Sequence, residues 1–404
     1  MWEEFPDVDH FVLDEGEITF PMFLKDLEKG ELKRIYTSDE KPDITKTPIP
    51  RWDLIDMKNY NKMPIQFSRG CPFDCEFCNV VALNGKIPRT KTPEQIINEL
   101  NAIYDRGWDG TIFIVDDNFI GNRPKTIQVL KKIIEWQNSR KERITFMTEV
   151  SLNLADDDEM LYLMREAGFD SVFIGLETPS EEALAECGKF QNKNRNLVES
   201  VRKLHQSGFE VTAGFIVGFD SDDESIFRRQ IEFIQKTGIV VAMIGLLQAL
   251  PGTRLYKRLQ KENRILSHST GNNTDFSTNF IPKLNYDTLI EGYKSIIAEI
   301  YSHQNFYDRI YTFLRDYRHY NSNKFQMSSL IALFKAIWYI GIKEKHRKYY
   351  WKLFFTSLFK HTECFAKVMT MSVYYYHFNK IFRDFIENKT VVKKPDAIKN
   401  AARI

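Results

Sequence analysis

Six short apolar runs, each followed by an amphipathic helical stretch, constrain the fold of this chain more than any other feature. Residues 63–70, 112–115, 144–147, 171–174, 211–216 and 240–244 read as strands. They are nearly continuous apolar runs rather than alternating ones, as parallel strands covered on both faces require. The stretches between them carry helix punctuation. Thr92 stands as an N-cap, Pro93 takes the first helical position and Gln95 completes a capping box. Ile96, Ile97, Leu100, Ile103 and Tyr104 then form one apolar face, and Gly107 ends the helix. Met160, Leu161, Leu163 and Met164 repeat the pattern before Gly168, as do Leu197, Val201 and Leu204 before Gly208, and Ile231 and Ile234 before Gly238. Six such units predict an α/β fold, a partial (β/α)6 TIM-like barrel over residues 63–265. The polar residues after each strand then share one rim, where barrel enzymes keep their chemistry.

On that rim, just after the first strand, stands Cys71-Pro72-Phe73-Asp74-Cys75-Glu76-Phe77-Cys78. Three thiolates on one short loop can hold three irons of a cubane cluster and leave the fourth open, and an open metal position is a reaction site. A structural zinc would want a fourth Cys or His nearby, and the next cysteine is Cys187. A disulfide framework wants an even count, and the chain has five cysteines. With no apolar leader ahead of them, the thiols are expected in a reducing cytoplasm.

The flanks differ from the barrel. Residues 1–44 hold one strand-like run, residues 8–17, and one helical run, residues 20–28. Residues 45–62, with Thr47-Pro48-Ile49-Pro50-Arg51, read as an extended linker set by prolines. Residues 266–390 read as a helical, strongly aromatic domain, and residues 391–404 as a polar, basic tail. The 404 residues carry a net charge of +1, so there is no global case for nucleic acid. The charge is unevenly spread: residues 324–389 hold twelve Lys or Arg against four Asp or Glu. Phe334, Trp338, Tyr349, Tyr350, Trp351, Phe354, Phe355, Phe359, Tyr374, Tyr375 and Tyr376 lie among them. They read either as the core of a helical cap or as a surface that lies on anionic lipid. No apolar run reaches the ~18 residues of a membrane span.

Asp14-Glu15-Gly16-Glu17, Thr47-Pro48-Ile49-Pro50-Arg51, Gln66-Phe67-Ser68-Arg69-Gly70-Cys71, Asp116-Asp117-Asn118-Phe119-Ile120-Gly121-Asn122, Gly175-Leu176-Glu177-Thr178-Pro179, Lys189-Phe190-Gln191-Asn192, the stretch Ala213-Gly214-Phe215-Ile216-Val217-Gly218-Phe219-Asp220, and Leu247-Gln248-Ala249-Leu250-Pro251-Gly252-Thr253 stand in order. Together they resemble the cobalamin-binding class of radical S-adenosylmethionine (SAM) enzymes, with particular likeness to the branch containing hopanoid 2-methyltransferases. The resemblance runs over residues 9–320. It implies a 4Fe–4S cluster on Cys71, Cys75 and Cys78. It implies SAM chelated at the open iron through its amino and carboxylate groups, and reductive cleavage to a 5′-deoxyadenosyl radical. It implies methylcobalamin as the donor of a methyl group to an unactivated carbon. An electron donor such as flavodoxin or ferredoxin and a small-molecule or lipid-like substrate follow, with the protein in the cytoplasm or at the inner membrane surface. Family members begin with a complete doubly wound cobalamin domain. Residues 1–44 resemble only its last strand and helix, and His10 does not replace the cobalt-ligating His. This chain alone is therefore expected to bind cobalamin weakly or not at all, and residues 14–28 to pack loosely. Either the product is longer or a separate cobalamin-domain chain supplies the rest.

The resemblance also assigns SAM-contacting roles, each with an ordinary alternative. Phe77 would flank the adenine, or be a plain loop aromatic. Asp116, Asp117 and Asn118 would meet the SAM ammonium, unless Asn118 or Asn122 caps a helix. Glu149 and Ser151 after the third strand, and Glu177 after the fourth, would face the ribose or the sulfonium-bearing ligand; Glu177 has no evident cation partner. Gly214 and Gly218 would let adenine approach the backbone, and Leu247 would line the same pocket. Cys364 reads as core, Cys187 as a loop thiol with a secondary redox role as the alternative, and His205 as a surface or core residue. The competing functions are a radical SAM enzyme without cobalamin (a methylthiotransferase or rearrangement type), an inactive remnant, or an iron–sulfur electron carrier.

Overall fold

The computed structural model describes residues 5–269, 276–320 and 327–387; the tail expected at 391–404 lies outside them. In chain order the elements are β1 (Phe11–Val12), α1 (Gly16–Lys29), β2 (Ile35–Tyr36), β3 (Lys62–Ile65), β4 (Ser68–Arg69), α2 (Val80–Asn84), β5 (Arg89–Thr90), α3 (Pro93–Tyr104), β6 (Thr111–Ile114), α4 (Arg123–Asn138), β7 (Phe146–Val150), α5 (Asp158–Ala167), β8 (Phe169–Glu177), α6 (Glu181–Glu186), α7 (Leu197–Gln206), β9 (Glu210–Val217), α8 (Ser225–Thr237), β10 (Ala242–Leu246), α9 (Arg254–Lys261), α10 (Tyr286–Ile300), α11 (His303–Asp316), α12 (Met327–Ala336), α13 (Arg347–Lys360) and α14 (Phe365–Ile386). A π-helical turn, Ile337–Lys343, continues α12.

Six strands form one parallel sheet in the order β10-β9-β8-β7-β6-β3. That is the partial barrel expected from the six apolar runs. Pro64 is tolerated because β3 lies at the open edge. The helices bury the faces that their periodicity predicts, including Ile96, Leu100 and Ile103 of α3. The Thr92–Gln95 capping box is formed in both directions, at 2.9 and 3.2 Å.

The other edge, β10, is closed by the C-terminal helices. Tyr301, which caps the C-terminus of α10, and Tyr293 within it donate hydroxyl hydrogen bonds to the carbonyls of Ala242 (2.8 Å) and Ile244 (3.2 Å). The buried Arg309 of α11 donates to Val240 O at 3.2 Å. Carbonyls that an edge strand leaves open are thus satisfied by side chains. At the start of the strands, Lys367 of α14 reaches Glu210 (3.0 Å) and Asp170 (3.5 Å).

Three local expectations are corrected. The run 63–70 is not one strand: β3 ends at Ile65, and β4 leaves the sheet to pair antiparallel with β5. Asp116 holds the departure, accepting from Phe67 N at 2.8 Å and Ser68 Oγ at 2.7 Å. The linker is not simply extended, because it contains three 3-10 turns, Ile44–Lys46, Trp52–Leu54 and Met57–Asn59. Asp43 and Asp56 nucleate two of them by accepting from Thr45 N and Lys58 N.

The N-terminal segment has a second strand, β2, parallel to β1, and it is anchored rather than loose. Glu15 pairs with Arg69 and Arg89, each at 2.6 Å, and Glu17 pairs with Arg69 at 2.6 Å. These partners lie 52 to 74 residues away in sequence, so no local pattern announces them. Helix α1 exposes Phe20, Met22, Leu24 and Leu27.

Candidate active site at the barrel rim

The cysteine loop runs between β4 and β5, so the hairpin delivers it to the rim. It begins at Gly70, whose φ is +103° and where a Cβ would fall 2.8 Å from Gly85 O, so only glycine fits. Cys71 N donates to Gly85 O (3.3 Å) and Cys78 N to Cys75 O (3.1 Å). The far side of the loop is clamped by Glu76 N to Cys187 O (2.7 Å) and by Leu255 N to Glu76 O (3.0 Å). Cys75 is buried, while Cys71 and Cys78 are half-buried. Burial pushes all three thiols up, Cys78 to about 11, and their mutual proximity adds to the rise at Cys75 and Cys78. They are neutral thiols until a metal displaces the protons. Among the described residues no three His, Cys, Asp or Glu side chains close on a single metal ion. A cubane takes each thiolate on a different iron, and the loop fits that donor set. Asn118 Nδ2 and Gln191 Nε2 each stand 3.9 Å from a sulfur, of Cys71 and Cys75 respectively.

Asp117 accepts from Gly70 N (3.2 Å) and Asn84 Nδ2 (3.1 Å), which ties the rim to the loop. Asn118 and Ser151 interlock: Asn118 Nδ2 donates to Ser151 Oγ at 3.1 Å, and Ser151 N donates to Asn118 Oδ1 at 3.2 Å. Asn118 makes no capping bond; Asn122 does that for α4, accepting from Lys125 N. Glu149 has no hydrogen-bond partner among the described residues, and burial together with Asp117 raises it to about 6. It is the free carboxylate of this group.

Glu177 sits differently from the expectation. The pairing of β8 with β9 slips between Gly175 and Glu177, and Glu177 has a φ of +65°. A non-glycine residue there costs about 1–2 kcal/mol. Asn192 Nδ2 holds the slipped backbone through Gly175 O (3.1 Å) and Leu176 O (3.2 Å), and Gln230 Nε2 holds Glu177 O (3.1 Å). The side chain then meets Lys189 Nζ at 2.8 Å, a cation partner the sequence reading lacked. Burial pulls the Lys189 ammonium down, the charge and hydrogen bond of Glu177 oppose this, and the ammonium lies above its ordinary range. Gly175 leaves room for this pair, since a Cβ there would fall 2.3 Å from Glu177 Oε1 and 2.8 Å from Lys189 Nζ. In the sequence, Lys189, Gln191 and Asn192 have no signal beyond their place in Lys189-Phe190-Gln191-Asn192.

Phe77 packs with Phe219 (ring centroids 6.2 Å apart) against a small apolar cluster that includes Leu247 and Cys187. Leu247 N donates to Val217 O at 2.9 Å, and its carbonyl accepts from Thr278 Oγ1 at 2.8 Å. Gly214 lies against the Phe173 ring, and Gly218 against Leu289. Gly218 N donates to Asp222 Oδ2 at 2.9 Å. Cys187 is buried, raised by burial to about 12, and donates to Leu184 O. Cys364 is buried, in a 3-10 turn. His205 is core, with its ring edge-on to Phe313. A cavity of about 290 Å³ lies at the β3 edge of the sheet, lined by Glu17, Pro48, Gln66, Arg69, Lys91 and Val115 among others.

A six-stranded parallel partial barrel with three cysteines on the loop after its first strand has the architecture of a radical SAM enzyme. Residues 65–234 match the radical SAM superfamily, and residues 253–390 match a domain of unknown function, DUF4070. An uncharacterized methyltransferase of Synechocystis sp. is 41% identical over 92% of this chain and 70% of its own length. The hopanoid C-2 methylase of Rhodopseudomonas palustris is 34% identical over 86% of this chain and 68% of its own length. The solved structure of the cobalamin-dependent SAM radical enzyme OxsB with aqua-cobalamin bound shares the fold, with a TM-score of 0.57 at 17% identity over 96% of this chain. The chain spans 65% of that structure. The protein belongs to the radical SAM superfamily, in the family of these methyltransferases. Membership implies a 4Fe–4S cluster and SAM as cofactors.

Proposed function

We propose that this protein methylates an unactivated carbon of a small or lipid-like molecule, with cobalamin as methyl carrier. The observation that carries the reading is the triad Cys71, Cys75 and Cys78 on a loop locked to the rim of a six-stranded barrel, in a family of methyltransferases. These three cysteines would hold the cluster. A reduced 4Fe–4S cluster supplies the electron that cleaves SAM, and cobalamin supplies a transferable methyl group.

The chain's own residues bind and orient. Glu149, unpaired and facing Asp117, suits the SAM ammonium or ribose hydroxyls. Asp117, Asn118 and Ser151 fix the rim against the loop, so the site is rigid before SAM arrives. Lys189, held by Glu177, presents the cation that a SAM carboxylate needs. Phe77 and Leu247 give adenine an apolar wall, and Gly214 and Gly218 border it. In this reading cobalamin is presented by a complete doubly wound domain, whether continuous with β1, α1 and β2 in a longer product or on a separate chain. A flavodoxin- or ferredoxin-type donor would reduce the cluster in the cytoplasm.

The test is anaerobic reconstitution with iron and sulfide, then SAM and dithionite. One 4Fe–4S cluster per chain and release of 5′-deoxyadenosine are expected. Zinc at one per chain, or a full cluster with no SAM cleavage, overturns the reading. Glu149→Gln should weaken SAM binding and leave the cluster absorbance intact; unchanged binding would remove Glu149 from the site.

A further inference from the structure

The helical region carries a surface that the reaction does not use. Along α12 and the π-helical turn, Ile331, Phe334, Trp338 and Ile342 recur at three- and four-residue steps, and all are exposed, Phe334 to 67%. Helix α13 returns alongside. Trp351 Nε1 donates to Gly341 O at 2.8 Å, and a Cβ on Gly341 would meet Trp351 at 3.2 Å, so the two helices touch there. From that seam Trp351 stacks on Phe355 (5.7 Å) and Phe355 on Phe359 (6.5 Å). Phe359 is 77% exposed. One apolar, mostly aromatic stripe therefore runs over both helices on the outside of the molecule.

Its border is basic. Residues 327–360 hold seven Lys or Arg and one acid, Glu344. All seven are exposed, and none pairs with a carboxylate among the described residues. Lys343 lies over the Trp338 and Tyr339 rings at 5.4 and 5.2 Å. A core-forming cap would bury these rings, and a soluble face would balance the charge. Aromatic and aliphatic side chains flanked by unpaired lysines match the boundary between headgroups and acyl chains of an anionic bilayer. No described helix is long and apolar enough to cross a membrane, so the surface lies on the bilayer rather than through it.

We infer that the α12–α13 face docks the protein on the surface of a membrane containing anionic lipid. The inference does not depend on the methyl-transfer reading, because no residue of the face belongs to the rim.

The test is co-sedimentation of the cluster-loaded full chain with vesicles, at about 0.1 M salt. Vesicles of phosphatidylcholine with about 30% phosphatidylglycerol should pellet the protein, and pure phosphatidylcholine should not. Removing one lysine should weaken binding about fivefold, so Lys343→Gln, Lys348→Gln and Lys352→Gln together should weaken it about a hundredfold. Phe355→Ser with Phe359→Ser should weaken binding to anionic vesicles at least about tenfold. Cluster absorbance and far-UV circular dichroism should be unchanged in both variants, as befits exposed positions. Equal binding to neutral and anionic vesicles overturns the inference, as does binding that survives both sets of changes. Absence of vesicle binding together with a dimer that the Phe355 and Phe359 changes dissolve overturns it too, and would assign the face to a second copy of the chain.

Discussion

The barrel rim and the α12–α13 helices handle side chains in opposite ways. At the rim the polar groups other than Glu149 are buried and paired: Asp116 with Phe67 N and Ser68, Asn118 with Ser151, Glu177 with Lys189. On the helices apolar groups are exposed, and the lysines beside them pair with no carboxylate among the described residues. Each arrangement costs free energy when the chain is considered alone. A buried ion pair must be desolvated, and an exposed aromatic forgoes about 1.5–3 kcal/mol of burial. Such costs mark places where something else completes the structure. At the rim that is a cofactor held by fixed polar geometry; on the helices it is a broad, fluid surface that needs only area and charge.

Breaking the rim should give the largest effects. Cys75→Ala should abolish the cluster and all SAM cleavage, because two thiolates do not hold the cubane; iron content and visible absorbance after reconstitution measure it. Lys189→Met comes next. It leaves Glu177 buried without its cation, which costs about 3–5 kcal/mol, read as a lower urea midpoint. Adding Glu177→Gln to that variant should recover much of the loss, because the uncompensated charge is then gone. If Lys189→Met is as stable as the parent, the pair contributes nothing to the rim and the contrast with the helices narrows.

The two regions were also unequally legible. Barrel strands show as short continuous apolar runs and the helices follow a period of 3.6, and the helix caps use neighbours: Thr92 and Gln95 are three residues apart, and the box forms as read. The cysteine triad is legible because its three ligands are local. What escaped was long-range. Glu177 acquires its cation from Lys189 only because the chain passes α6 and turns back. Asp116 serves as a brace for Phe67 and Ser68 from across the sheet, and nothing in Asp116-Asp117 says which of the two faces the site. Glu15 finds Arg89 across 74 residues. In the aromatic helices the composition favoured a core and left an interface as the alternative. Only exposure separates them: Tyr350 and Tyr375 are core, while Phe334, Trp338 and Phe359 are outside.

His205 tests the seam between barrel and helices. It belongs to α7, its ring packs edge-on against Phe313 of α11, and neither ring nitrogen has a partner among the described residues. Burial pulls it down from 6.5 to about 4, partly opposed by Asp316. The native state therefore stays uncharged while the unfolded chain takes up a proton below about pH 6.5. Stability contributed by the neutral ring is intact above that pH and is lost as the pH falls from 6.5 toward 4, by about 3 kcal/mol in all. His205→Leu should flatten the urea midpoint over this range relative to the parent. An unchanged slope would mean that the seam opens to water.

The smallest expected change in stability is the sharpest test of the comparison. Phe359 and Phe169 are the same side chain in the two settings, the first 77% exposed and the second fully buried in β8. Phe169 packs on Phe119 and Phe146 with ring centroids 5.2 and 5.3 Å away, so Phe169→Ala should cost about 3–5 kcal/mol through lost contacts and a cavity. Phe359→Ser removes a ring whose nearest aromatic neighbour, Phe355, is 6.5 Å away, and its effect on the urea midpoint should stay within about 0.5 kcal/mol. The two should reverse on lipid. Phe169→Ala touches no surface, so whatever fraction remains folded should bind anionic vesicles like the parent. Phe359→Ser should bind them measurably less, because the ring that water surrounds in the free protein would be the one the membrane buries. A Phe359→Ser variant that loses stability on the scale of Phe169→Ala would show that the ring already has a partner within the chain, and the outer face would then be ordinary core.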